Sequence, residues 1–328
     1  MLRYLAVVLF VFSSEAAFAR CEGRDLIAEM PAAERAALEA KAGQEAFAEG
    51  LLWRATRGET EISFFGTYHF PHEQTQAHLE AVTPYIKAAD RVYLEVSNAD
   101  TAKLEREMAE DPSLMFITEG PTLPDLLGEA DWTQFAEEMR ARAIPPFFAA
   151  KFKPTWAAMM LGIGPCEARS GALEGDGIDK LVGDRAAEIG NPSHSLEDYR
   201  ALLTMLDSFP MQDQLDMIRM FFAWSGSPDD MAYTLRQRYL AQEVALIWAF
   251  SEKMTLDLGG EAAREDFALF EQKMLIDRNA AWVVRLLDEA QGQKVFAAVG
   301  AAHLPGEIGV LRLLEDEGFE ITRLSLDP

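Results

Sequence analysis

Positive charge, cysteine and long apolar runs are all scarce in this chain, and each shortage narrows what it can do. Thirty Lys and Arg face 54 Asp and Glu, a formal net charge of −24, and no basic cluster offsets the excess. Such a balance repels phosphate backbones and anionic head groups, so no nucleic-acid partner is expected. The longest apolar run, residues 4–12, falls well short of the roughly 20 residues that span a bilayer as a helix. Nucleotide and serine-hydrolase signatures are missing as well: there is no Walker loop, Gly162-x-Gly164 lacks the third glycine of a dinucleotide fingerprint, and no G-x-S-x-G elbow occurs. His72-Glu73 invites a zincin reading, but Gln76 stands where the second histidine would fall, and His78, six residues on, cannot share a helix face with His72. What remains is an acidic chain of 328 residues, 49% apolar and 26% charged. It is long enough for one large or two ordinary domains, and its composition excludes disorder and collagen-like repeats.

Met1-Leu2-Arg3, the apolar run 4–12 and the small-x-small site Ala17-Phe18-Ala19 together read as a secretory signal peptide, residues 1–19, cleaved after Ala19. The expected location is therefore the periplasm or the exterior, with no membrane insertion once the leader is removed. Cys21 and Cys166 are the only cysteines. In an exported protein two cysteines suggest one disulfide, the alternative being two unrelated buried thiols.

Residues 22–52, rich in alanine and glutamate, read as helical. Segments 53–55 and 62–65 form an expected hairpin around Gly58, residues 74–89 a helix, and 91–96 a buried strand. From about 101 to 290 the pattern is almost all helix, with no convincing strand. Residues 294–299 and 319–326 then read as strands flanking a helix at 309–317 that Gly318 closes. Because a two-stranded sheet is marginal alone, the two ends are expected to share one sheet. The fold class is thus α/β: a small mixed sheet built from the N- and C-terminal segments, about 20–100 and 291–328, with a large helical insertion at about 101–290, in one discontinuous domain.

One pattern occurs twice at strand ends: Gly66-Thr67-Tyr68-His69-Phe70-Pro71 and Gly300-Ala301-Ala302-His303-Leu304-Pro305. With 22 Gly, 5 His and 15 Pro, G-x-x-H-x-P is expected roughly 0.015 times by chance. A glycine ending a strand lets the backbone turn, and the histidine three residues on emerges at the carboxyl edge, where α/β proteins place ligands. Two imidazoles facing one crevice suit a metal ion or an acid/base pair. Glu95, ending the intervening strand, completes a set of two histidines and one carboxylate with open positions for water and substrate. Arg278-Asn279 sits on an expected helix, 271–288, whose apolar face carries Met274, Leu275, Trp282, Val283 and Leu286. The arginine reads either as a surface ion-pair partner or as a pocket cation that orients a carboxylate or steadies an oxyanion. His72 reads as a solvated loop residue, with substrate contact as the lesser option. His78 and His194 carry no signal.

These landmarks resemble the TraB/PrgY/GumN family, which includes the Tiki metalloproteases of animals. The resemblance covers nearly the whole mature chain. It rests on Cys21-x-Gly23-x-Asp25-Leu26, Leu52-Trp53, Gly66-Thr67-Tyr68-His69, Leu94-Glu95, Lys153-Pro154-x-Trp156, Cys166, Gly177-Ile178-Asp179, Leu196-Glu197, Arg278-Asn279 and, most specifically, Val299-Gly300-Ala301-Ala302-His303-Leu304-x-Gly306-Glu307. It implies a fold similar to erythromycin esterase-like and ChaN-like α/β proteins. It implies a site of His69, His303, Glu95, Arg278 and Asn279, and it favours the Cys21–Cys166 bond. The resulting expectation is an exported metal-dependent hydrolase acting on a peptide or another small extracytoplasmic substrate. His69, His303 and Glu95 would hold a divalent Zn, Mn, Co or Fe ion, with Glu95 alternatively the general base, Arg278 at the oxyanion and Asn279 orienting it. The rival expectation is a non-catalytic protein that captures a peptide or glycan in the same crevice.

Overall fold

A computed structural model describes residues 21–171 and 176–326, and the expected leader, residues 1–19, lies outside the described residues. Six strands form one sheet: β1 (Leu52–Arg57), β2 (Thr60–Thr67), β3 (Arg91–Leu94), β4 (His194–Ser195), β5 (Lys294–Gly300) and β6 (Glu320–Leu324), in the order β4-β3-β5-β2-β1-β6. β4, β3, β5 and β2 run parallel, and β1 is antiparallel to both β2 and β6. The mixed sheet drawn from both ends of the chain is as the sequence implies.

β5 holds the centre because of its composition. Val295, Ala297 and Val299 are buried on one face and Phe296 and Ala298 on the other. A strand covered on both sides reads as an unbroken apolar run, and each large side chain so buried contributes about 1.5–3 kcal/mol of transfer free energy. One face packs with Trp282 and Leu286 of the helix Asp277–Glu289 and with Leu311 and Leu314 of the helix Val310–Asp316. The other packs with Leu79, Val82 and Ile86 of the helix Thr75–Ala88 and with Val182 and Ala186 of the helix Ile178–Ile189. A separate core inside the insertion gathers Leu123, Phe135, Met139, Phe152, Leu161, Leu215 and Ile218.

Three local readings are corrected. Of the helix expected over 22–52, only Ala32–Ala42 forms, opened by Pro31 and closed at Gly43. Upstream, the chain is laid along the helix Pro228–Leu240: Arg24 pairs with Asp230 at 2.8 Å, and a β-carbon on Gly23 would come within 2.7 Å of Tyr233. Downstream, positive φ at Phe47 (54°) and Gly50 (125°) takes the backbone out of helical space. Tertiary contact overrides alanine's propensity here. The insertion does contribute a strand, β4, but its two residues are too few to show alternation. Finally, the helix expected over 271–288 begins with a π-helical turn, Gln272–Ile276, before the α-helix Asp277–Glu289. Cys21 and Cys166 stand at disulfide distance, with sulfurs 2.13 Å and Cα atoms 5.7 Å apart. No helix among the described residues is long and apolar enough to cross a membrane.

Candidate functional site

The parallel strands β2, β3 and β5 deliver the first loop residues after each to the same edge of the sheet. The residue after β3 is Glu95, the second after β2 is His69, and the third after β5 is His303. They converge at Gly300. A β-carbon placed there would lie 3.1 Å from Glu95 Oε1, 3.6 Å from His303 Cδ2 and 3.7 Å from His69 Nε2. Gly300 has φ of −51°, which any residue adopts, so the space it leaves open is what its glycine contributes.

Each ring is tied back through its Nδ1. Asn279 is fully buried on the same stripe as Trp282, Val283 and Leu286, a position for an apolar side chain. It is accommodated because its amide is satisfied twice: Nδ2 donates to the Ile308 carbonyl at 2.8 Å, and Oδ1 lies 2.6 Å from His303 Nδ1. The first bond sets the amide orientation, so Oδ1 accepts and His303 Nδ1 donates, which leaves a lone pair on Nε2. Burial holds this imidazole neutral, pushing its pKa down to about 3 against the opposing charge of Glu95. His69 Nδ1 lies 3.2 Å from Asp179 Oδ2, and Thr67 donates its hydroxyl to the other oxygen of Asp179. The charge of Asp179 outweighs desolvation and raises the His69 pKa to about 9.

Glu95 is held by two donors: the Gly300 N–H to Oε1 at 2.6 Å and Arg278 Nη2 to Oε2 at 2.6 Å. Burial works against its charge, but His303, Arg278, His69 and the Gly300 N–H together outweigh it and keep the carboxyl down at about 2. Arg278 is shared between carboxylates. Its Nε and Nη2 fork onto Glu197 at 2.9 and 2.7 Å, and Nη1 donates to Met274 O at 3.3 Å and to His303 Nε2 at 3.2 Å. A guanidinium has five N–H groups, and all five are engaged, so none is left for a substrate oxygen in this arrangement.

The structure thus brings together all five residues singled out in the sequence: His69, Glu95, Arg278, Asn279 and His303. Two more belong with them, Asp179 and Glu197. Both fall in the landmark motifs quoted above, but they reach the site from the insertion, across separations of 110 and 81 residues. Spacing along the chain carries no sign of that. His72 lies elsewhere: its ring packs against His78 at 5.2 Å and Tyr239 at 5.4 Å between centroids. Desolvation and then His78 push its pKa down to about 4, so it is not the solvated loop residue expected.

In kind, the donors suit a divalent transition ion. Both imidazoles have Nδ1 anchored by a carboxylate or amide, the arrangement that orients metal-binding histidines, and a carboxylate lies beside them. Among the described residues, however, no three His, Cys, Asp or Glu side chains are grouped closely enough to hold one. Arg278 is what stands at the Glu95 and His303 donors.

An α/β sheet with paired G-x-x-H loops at its carboxyl edge defines the class of protein. The chain belongs to the TraB/PrgY/gumN family, whose sequence profile matches residues 51–323. No curated protein matches it.

Proposed function

We propose that the protein is an extracytoplasmic metal-dependent hydrolase whose substrate is a peptide or another small molecule outside the cytoplasm. The observation that carries this reading is the pair of tied-back imidazoles facing, with Glu95, the open point at Gly300. His69, His303 and Glu95 would hold the ion, which when bound supplies Lewis acidity and an acidified water. The protein's own part is charge and orientation. Asn279 fixes the His303 tautomer, and Asp179 orients His69. Glu95, with its carboxyl near 2, is a weak base and fits the ligand role better than that of general base. Arg278 neutralises Glu95 and Glu197, and with every N–H engaged it is a poor oxyanion donor as it stands.

The test is elemental analysis of the chain from residue 20 onward, purified without chelator, beside the His69→Ala/His303→Ala double variant. A peptide-library cleavage screen follows with the metal found. Near-stoichiometric metal in wild type, lost in the variant, together with metal-dependent cleavage, supports the reading. No metal uptake even when Zn²⁺ or Mn²⁺ is supplied would sink it. Saturable ligand binding without product would instead favour a capture protein, a reading that the saturated Arg278 and the weakly basic Glu95 suit.

A further inference from the structure

We propose that Arg278 is the built-in competitor of the divalent ion: guanidinium and ion use the same two donors, Glu95 Oε2 and His303 Nε2, so the centre has an arginine-held and a metal-held state. This rests on the metal reading above. Its basis is geometric. Arg278 Nη2 is 2.6 Å from Glu95 Oε2, and Nη1 points at the lone pair of His303 Nε2 from 3.2 Å. Nε2 carries a lone pair because the ring's proton sits on Nδ1, which donates it in a hydrogen bond to Asn279 Oδ1. An ion ligated there must displace the arginine's hydrogen bond.

The surroundings provide for the displaced guanidinium. Glu197 holds it by a two-point fork that needs neither Glu95 nor His303, so Arg278 keeps a charge partner in both states. The helix that carries it is interrupted by the π-helical turn Gln272–Ile276 immediately upstream, and Met274 O of that turn accepts from Nη1. Such turns are recurrent at functional sites.

Calorimetric titration of the metal-free chain, residue 20 onward with its disulfide intact, with Zn²⁺ and separately with Mn²⁺ tests the idea on wild type, Arg278→Met, Arg278→Lys and Glu197→Gln. Removing the competitor should tighten binding about tenfold or more in Arg278→Met and by less in Arg278→Lys. Glu197→Gln, which leaves the guanidinium to Glu95, should weaken it. A merely supporting arginine predicts the opposite sign, a loss of roughly 10–100-fold, as for other groups that orient ligands. That loss, in a protein whose wild type binds, overturns the competition and leaves the metal centre standing. Absence of binding in both wild type and Arg278→Met overturns the metal reading and the competition together. Should Arg278→Met fail to melt cooperatively, the other two variants decide: affinities equal to wild type in both refute the proposal.

Discussion

His69 and His303 occupy the same place in the same six-residue pattern, yet their rings end in opposite circumstances. The His69 side chain is 65% exposed and leans on a carboxylate; that of His303 is 6% exposed and leans on an amide. Position in a motif brings a histidine to the sheet edge, but its surroundings set its proton affinity: the Asp179 carboxylate at Nδ1 for His69, and burial for His303. A charged partner makes His69 the basic member, and a neutral one with burial makes His303 a constant lone-pair donor. The duplicated motif is therefore a division of labour.

The widest effect expected is in titration. In metal-free protein, ring-resolved NMR should place His69 above the usual 6.5, towards about 9, and His303 far below it, near 3. Asp179→Asn should lower His69 by about 1–3 units and leave His303 in place. If both rings titrate together near 6.5, the comparison collapses. Next come the twin glycines, which reverse each other. Gly300→Ala puts a methyl into the point shared by Glu95, His303 and His69, and should cost at least about tenfold in Zn²⁺ affinity with little change in Tm. Gly66→Ala drives a β-carbon to 2.8 Å from Leu304 Cδ1 and 3.1 Å from Ala301 Cα. Overpacking there should destabilise by about 1–3 kcal/mol. Thermal melts and metal titrations on both variants separate the two, and equal effects on both observables would blur the distinction.

The last effect is in acid. Glu95 has its folded pKa depressed from 4.5 to about 2, so its contribution to stability is whole above 4.5 and is lost as pH falls from there to about 2. Glu95→Gln should therefore flatten that stretch of the stability–pH curve, read by denaturant midpoints. An unchanged slope would mean that the carboxylate has no such partners in solution.

The five strands visible in the sequence are those with three or more residues of β-branched, aromatic or apolar character, and β5 shows most clearly because both its faces are covered. β4 escapes notice because pairing of His194 with Tyr93 and Ser195 with Leu94 depends on where the insertion docks. The overextended first helix has the same origin: alanine and glutamate favour helix locally, and contacts with the helix Pro228–Leu240 upstream and positive φ at Phe47 and Gly50 downstream decide otherwise. At the site, the motif repeats, Glu95 and Arg278-Asn279 are legible because strand ends and helix faces are local facts. Asp179 and Glu197 are not, since a side chain reaching from one packed element to another leaves no trace in spacing. Arg278 shows the limit most sharply. Its residue type announces a pocket cation, whereas the saturation of all five N–H groups is known only from the partners around it.

The sheet's order has a consequence for how the molecule is made. β2 and β3 are consecutive in the chain but do not touch: β5, beginning at Lys294, lies between them. During synthesis the slot stays vacant while more than half of the chain emerges, and pairing across so long a separation is slow because the intervening loop must close first. The strand that fills the slot also carries Gly300 and leads into His303. A chain stopped short of it would lack both the sheet's central strand and one of the two motif histidines, so completion of the sheet and assembly of the candidate site are one event.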